Sequence, residues 1–280
     1  MKLHTIDTGL FKLDGGAMFG VVPRSMWMKL HPSDPNGMCT WAMRCLLIED
    51  GKKLILVDTG LGDKQDEKFF SRYEPHGEDT LDKSLAKLGF SADDITDVLL
   101  THLHFDHCGG AIKREGEKLV PAFKNATYWS NAQHWEWATK PNAREKASFL
   151  KENILPIQES GQLKFINDGS REIHPDVLIK TVSGHTESMI TPHISYNGKT
   201  IVYAADLIPS RWHVPLPYVM AYDTRPLLTL SEKESLLPEA AKNDYLLFLE
   251  HDPSVEMISL AETERGVQLK EQLRLSEVFG

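Results

Sequence analysis

Between residues 101 and 110 the chain reads Thr-His-Leu-His-Phe-Asp-His-Cys-Gly-Gly, and four of those side chains, His102, His104, Asp106 and His107, can bind a metal ion. Such a density of imidazole beside an apolar strand makes a poor solvated loop. If the backbone leaving Val98–Leu100 stays extended, His102 and His104 project to one side and Leu103 to the other. A turn at Phe105 then brings Asp106 and His107 to a second position nearby, so one segment can serve two adjacent metals. Gly109-Gly110 fits a helix N-terminus approaching the site closely. Six residues cannot complete two coordination spheres. The chain therefore has to adopt a fold that gathers further ligands from distant sequence.

Three residues stand where such ligands would arrive. His185 follows the apolar run Val177–Val182 and Gly184, Asp206 follows Thr200–Tyr203, and His251 follows Tyr245–Leu249. Each is a His or Asp at the carboxyl end of an apolar run, the edge at which α/β proteins place their sites. Two hairpin signals frame these runs. Leu46–Ile48 and Leu54–Val57 flank Glu49-Asp50-Gly51, and Ile194–Tyr196 and Thr200–Tyr203 flank Asn197-Gly198. Both hairpins run into an aspartate, Asp58 and Asp206, so the two halves read as loose copies of one plan.

Helices fill the gaps. Thr80 caps Leu81–Leu88 ahead of Gly89, Ser130 caps Asn131–Thr139, and an amphipathic run over Ala143–Leu155 stops at Pro156. Ser231 and Glu234 form a capping-box pattern before Leu236, Leu237 and Ala240, disturbed by Pro238. The elements interleave without a linker, which predicts a single α/β domain over residues 1–280 with sheets inside and helices outside.

Composition narrows the partners. Lys plus Arg is 31 against 40 Asp plus Glu, a net charge of −9, which argues against nucleic acid or an anionic membrane. Three cysteines are too few for a disulfide framework and suit a reducing compartment. No basic-then-apolar leader opens the chain and no run of about 18 apolar residues occurs, so a cytoplasmic protein is expected.

With these residues in view, the sequence resembles the metallo-β-lactamase superfamily of dinuclear metal hydrolases. His102, His104, Asp106 and His107 match its signature loop, His185 and His251 its later histidines, Asp206 its bridging aspartate, and Val57-Asp58-Thr59-Gly60 its early aspartate motif. The resemblance implies a four-layer αβ/βα sandwich, two central mixed sheets with helices outside, and a site at one edge between the sheets. It implies His102, His104 and His185 on one metal, Asp106, His107 and His251 on the other, and Asp206 bridging them. The cofactors implied are two divalent cations, zinc first, with Fe, Mn or Co compatible with the same ligands. A hydroxide shared by the cations would attack a lactone or related ester, and Asp106 would pass a proton to the leaving group.

Within the superfamily, Thr-His-Leu-His-Phe-Asp-His with Gly-Gly is most similar to the quorum-quenching N-acyl-homoserine lactonases and the methyl-parathion-hydrolase-like phosphotriesterases. The segment Asp14–Pro23 resembles that branch too. By resemblance, a loop over about residues 14–36 covers the active-site mouth, and Met18, Phe19 and Trp27 offer apolar surface to an acyl chain or aryl leaving group. One position departs from the branch. Several homoserine lactonases carry a substrate-contacting Tyr three residues after the bridging Asp, where this chain has Pro209. His213 is the expected replacement as a catalytic hydrogen-bond donor, with Tyr222 and Tyr218 as further candidates. His4, His31, His76, His134, His174 and His193 show no partner pattern and read as structural or solvated, and Cys108 as a small buried hydrophobe.

The expected partner is a small molecule with an apolar portion, with no nucleic acid and no membrane; a homodimer is compatible with the family. Phosphotriester or aryl-ester cleavage, and di-iron redox chemistry, use the same ligand set and stay open.

Overall fold

Alternation of side chains along the strands decides the layering. The chain opens with β1 (Lys2–Asp14), β2 (Met38–Asp50) and β3 (Lys53–Val57), an antiparallel group. Leu46, Ile48, Ile55 and Val57 join Ile194, Ile201 and Phe248 of the second half in one buried cluster, whereas Cys45, Leu47, Leu54 and Leu56 meet helix residues such as Leu85, Trp135, Ile154 and Ile157 in another. One set faces the other sheet and its alternate faces helices.

The computed structural model describes residues 1–279. The first sheet continues through β4 (Asp97–Leu99); after a small hairpin of β5 (Ile112–Glu115) and β6 (Lys118–Pro121) come β7 (Thr127–Ser130) and β8 (Leu163–Phe165), giving the order β1-β2-β3-β4-β7-β8. The second half contains β9 (Val177–Leu178), β10 (Thr181–Val182), β11 (Met189–Ile190), β12 (His193–Tyr196), β13 (Lys199–Tyr203), β14 (Leu246–Phe248), β15 (Met257–Thr263) and β16 (Gly266–Leu273). Its six-stranded sheet runs β16-β15-β14-β13-β12-β9, and β10 pairs with β11 apart from it. Both sheets are mixed. The helices are α1 (Gly15–Phe19), α2 (Arg24–Trp27), α3 (Glu67–Tyr73), α4 (Leu81–Lys87), α5 (Phe105–Cys108), α6 (Ala132–Thr139), α7 (Lys151–Glu159), α8 (Pro226–Lys242) and α9 (Leu275–Phe279). The layers are helix, sheet, sheet, helix, as expected. Among the described residues, no helix is long and apolar enough to cross a membrane.

The halves repeat one device. Each has an antiparallel hairpin, β2–β3 or β12–β13, whose second strand pairs in parallel with the next strand of its sheet, β3 with β4 and β13 with β14. Parallel pairing sends the carboxyl ends to one edge. Asp58, the 101–108 loop, Asp206 and His251 all leave the sheets there.

Several helix expectations need correction. Asn131, not Ser130, caps α6, its side chain accepting from the backbone N–H of Gln133 and His134. Residues 143–150 do not form the first half of a helix stopped by Pro156. Asn142 turns the chain there by accepting from the N–H of Arg144 and Glu145, α7 begins at Lys151, and Pro156 lies within it. The expected capping box at Ser231 and Glu234 falls inside α8, which begins at Pro226, a residue whose fixed φ suits a first helical position.

Candidate metal centre

The signature loop is shaped by Asp58. This residue is fully buried with φ at +59°, left-handed backbone that a non-glycine side chain adopts at a cost. Its carboxylate accepts from the backbone N–H of Thr101 at 2.8 Å and from the Thr101 hydroxyl at 2.6 Å, which fixes the turn entering His102. Thr59 donates its N–H and its hydroxyl to the His107 carbonyl at 2.8 and 2.9 Å. Gly109 and Gly110, expected at a helix N-terminus close to the site, open one 3-10 turn (Gly109–Ala111) directly after α5 and press on the 59–62 backbone. A Cβ on Gly109 would lie 2.0 Å from the Leu61 carbonyl oxygen, and one on Gly110 2.2 Å from that of Thr59. Only glycine lets these two segments touch. The second carboxylate loop is strained as well: Ala205, just before Asp206, has φ at +44°.

These constraints bring all seven expected ligand residues together in two adjoining groups. In the first, His104 Nδ1 lies 3.1 Å from His102 Nε2 and 3.2 Å from His185 Nε2, and Asp206 Oδ2 lies 3.0 Å from His185 Nε2. In the second, His107 Nε2 and His251 Nε2 face each other at 3.2 Å, each 3.8 Å from Asp106 Oδ2. Asp206 reaches both groups, since its Oδ1 is 3.1 Å from His251 Nε2. All seven residues are buried.

The donor set fits divalent cations. Buried ring nitrogens that point at one another rather than at donors leave lone pairs converging on a common space. Asp206 Oδ1 is buried and, although 3.1 Å from His251 Nε2, makes no hydrogen bond of proper geometry, the kind of atom that a bound ion satisfies. The outward nitrogens are held in turn: His185 Nδ1 by Asp223 at 2.8 Å, His251 Nδ1 by the Ala42 carbonyl at 2.8 Å, and His107 Nδ1 by Asp58 at 3.2 Å, with a Glu250 oxygen 3.0 Å away but outside hydrogen-bond geometry. Such outer partners fix the tautomer and aim the other nitrogen inward. The charges follow the packing. Burial holds His102 well below the ordinary histidine range, whereas Asp206 and Asp223 overcome burial and lift His185 to about 10. Burial lifts the Glu250 carboxyl to about 8.

The sequence reading missed Thr101, His134, Glu145, Asp223 and Glu250. His134, expected to be an ordinary structural histidine, links the two ligand loops. Its Nε2 accepts from the N–H of Leu103 at 2.9 Å, between His102 and His104, and its Nδ1–H donates to the carbonyl of Glu187 at 2.6 Å, two residues past His185. Glu250 adjoins His251 in sequence and could have been flagged on that ground. Nothing local marks Asp223. Cys108 is fully buried, its Sγ 3.3 Å from the Leu103 carbonyl, and burial pushes its thiol up to about 12.

Above the two groups lies an open cavity of ≈ 230 Å³ with His104, Asp106, His185, Asp206 and His251 on its lining. Leu13, Met18, Phe105 and Met220 give it apolar sides, and Arg144, Glu145 and Tyr222 polar ones. Of the expected substrate residues, Met18 and Tyr222 therefore reach the cavity and Phe19 and Trp27 do not. Those two rings stack on each other at 5.5 Å behind the cavity wall, in the buried cluster that also holds Phe11, Trp41 and the lining residues Leu13, Met18, Phe105 and Met220. The 14–36 segment, expected as a loop over the mouth, is partly helical. It holds α1 and α2, contributes Met18 to the lining, and is pinned by Ala221 donating its N–H to the Ala17 carbonyl at 2.8 Å. His213 is also corrected. It is 1% exposed, stacks on Phe19 at 5.2 Å, bonds Ser210 Oγ and the Met18 carbonyl through its two nitrogens, and is off the cavity lining. The Pro209 carbonyl accepts from the backbone N–H of His251 at 3.0 Å, so this position supports the His251 backbone and offers no side-chain donor to the cavity.

Comparison with known proteins agrees with this architecture. The model of the metallo-beta-lactamase superfamily matches residues 44–251, which include every residue of both groups. An N-acyl homoserine lactonase from a Bacillus species is 26% identical, with 96% of each chain covered, and one from Bacillus thuringiensis is 25% identical over 90% of this chain and 93% of its own. Among solved structures, a probable metal-dependent hydrolase from Staphylococcus aureus superposes with a TM-score of 0.87 at 26% identity, covering 98% of both chains. AidC, a dizinc quorum-quenching lactonase in complex with a homoserine product, superposes at 0.78 with 24% identity, covering 97% of this chain and 94% of its own.

Proposed function

The chain belongs to the metallo-beta-lactamase superfamily and is a hydrolase of that family, and from that premise we propose that it opens the lactone ring of N-acyl homoserine lactones at a dinuclear metal centre. The observation that carries this reading is the pairing of the two ligand groups, His102, His104, His185 with Asp206 and Asp106, His107, His251, beneath a cavity whose sides are mainly apolar. Full-length similarity to lactonases named for that substrate supports it.

Two divalent cations held there, zinc first, would supply Lewis-acid polarisation of the lactone carbonyl and an acidified water. The chain's own residues do the rest. Leu13, Met18, Phe105 and Met220 receive the acyl chain and exclude water from it. Tyr222, which lines the cavity, takes the hydrogen-bonding part left open by Pro209 and donates to a substrate carbonyl. Asp106, the acidic residue of the second group that also lines the cavity, carries a proton to the alkoxide leaving the opened ring. We place the enzyme in the cytoplasm, whose reducing conditions suit a chain with three free cysteines.

The test is turnover of homoserine lactones with acyl chains from four to twelve carbons by metal-loaded protein, beside an aryl ester and a phosphotriester. Ring opening of at least one lactone at a higher kcat/KM than either other substrate supports the reading. Preference for the phosphotriester moves the protein to the phosphotriesterase reading, and oxygen consumption by an iron-loaded form to the redox one.

A further inference from the structure

His104 and Glu145 meet across a narrow gap, with the buried and otherwise unpaired hydroxyl of Thr186 beside the carboxylate. The inward nitrogen of His104, Nδ1, lies among the ring nitrogens of the first group, so its Nε2 carries the proton. That Nε2 points outward, 3.6 Å from Oε1 of Glu145. Both atoms are buried and both lack a hydrogen-bond partner. A buried N–H and a buried carboxylate oxygen left facing each other unpaired are costly, and a small movement of the ring pairs them. Glu145 is otherwise held in place. It is 3% exposed, and its Oε2 accepts from Trp137 Nε1 at 2.7 Å and from Asn142 Nδ2 at 2.6 Å.

We propose that Glu145 is a positioning residue that accepts from His104 Nε2–H and fixes the ring for metal binding through Nδ1. It does for His104 what Asp223 does for His185 and the Ala42 carbonyl for His251. The inference rests on the reading of His104 as a ligand. The turn at Asn142, which replaces the start of the expected helix, sets Glu145 beside the candidate ligand loop. The chemistry demands a full carboxylate. Trp137, Asn142 and His104 bring three donors to one side chain, and an amide offers one oxygen and one NH2 group, so Glu145→Gln leaves a donor facing a donor.

The experiment compares Glu145→Gln, Trp137→Phe and His104→Ala with the parent chain, reading metal affinity by chelator competition and the visible absorption of the Co(II)-loaded forms. Glu145→Gln is expected to weaken one of the two cation equivalents by about 10–100-fold and to shift the Co(II) bands. Trp137→Phe removes another donor from the same carboxylate and is expected to leave both readouts near the parent. Tight binding of both cations by Glu145→Gln with an unchanged spectrum overturns the proposal, as does an equal loss in Trp137→Phe. Retention of both cations by His104→Ala overturns the ligand reading beneath it. Should Glu145→Gln not fold, the imidazole N–H resonances of the parent holoprotein decide: a His104 Nε2–H in fast exchange with water refutes the bond, and a protected downfield one supports it.

Discussion

Asp223 Oδ1 lies 2.8 Å from His185 Nδ1, and this contact joins the cavity wall to a candidate ligand ring, beside the Thr224 N–H that donates to the His185 carbonyl at 3.0 Å. Asp223 ends the segment that carries Met220, Ala221 and Tyr222 into the cavity, and Arg144 donates to the carbonyls of Ala221 and Asp223. The orientation of a ligand ring and the shape of the substrate wall are therefore set together. Asp223→Asn is expected to weaken metal binding by about 10–100-fold and to raise KM at saturating metal, measured as metal retained after dialysis and as steady-state kinetics. A raised KM with metal retention unchanged would show that the wall and the ligand do not communicate through this side chain.

The candidate ligands and the fold were legible in the sequence for the same reason. Ligating chemistry restricts residue types, and in an α/β sheet those residues must follow apolar runs, so His102, His185, Asp206 and His251 each announce themselves at the end of a strand pattern. Their partners carry no such mark. Asp223 follows no strand, Glu145 lies in what reads as helix, and His134 is one imidazole on an ordinary amphipathic run; each gains its role only through a fold contact more than 30 residues away in sequence. The error over Phe19, Trp27 and His213 has the same root. Aromatic residues near a site suit a substrate wall and a core equally well, and burial decides between them.

His134 should matter through both loops that it joins. Its Nε2 and Nδ1 are the hydrogen-bond partners of the Leu103 N–H and the Glu187 carbonyl. His134→Phe buries both backbone groups unpaired and is expected to cost about 2–4 kcal/mol, read from urea denaturation of the cation-free protein, together with weaker metal binding. A stability within 0.5 kcal/mol of the parent, roughly the spread of neutral surface changes, would assign the contact no weight.

The cation-free protein should have a stability maximum in pH. Burial pushes His134 to about 3 and His193 to about 4, below the unfolded value near 6.5. Their contribution is complete above about pH 6.5 and is lost as pH falls through those folded values. His185 and His251 run the other way. Against burial, Asp206 foremost raises them to about 10 and about 9, so their contribution is complete below about pH 6.5 and is lost as pH rises through 9 to 10. Urea midpoints of chelator-treated protein are expected to peak near pH 6.5. Cations require neutral rings, so metal loading is expected to abolish the alkaline decline. A midpoint that climbs steadily from pH 6.5 to 9.5 without metal contradicts the assignment.

Tyr222 and His213 separate the cavity from the core. Tyr222→Phe keeps the ring and removes one hydrogen bond to substrate, and is expected to lower kcat/KM on lactones by about 10-fold, corresponding to about 1.4 kcal/mol, with metal content and melting temperature unchanged. His213→Leu leaves Ser210 and the Met18 carbonyl without their ring partner and is expected to lower the melting temperature while kcat/KM per folded molecule holds. A reversal of these two patterns would return His213 to the active site.

Gly109 makes the most severe steric demand. A Cβ there meets the Leu61 carbonyl at 2.0 Å, and both atoms belong to backbone whose neighbours are fixed, Thr59 by the His107 carbonyl and Gly110 by the Gly60 carbonyl at 3.0 Å. Nothing flexible can yield. Gly109→Ala must therefore displace either the 59–62 turn or the end of α5, and both carry the second ligand group, through Asp58 and through His107. The expected result is a loss of about 3 kcal/mol or more, with less than the parent's metal content in whatever protein folds. The neighbouring surface substitution Lys113→Ala serves as control, since Lys113 is exposed and its ion pair is with Glu115. Parent-like stability and metal content in Gly109→Ala would mean that the two segments do not press together as described.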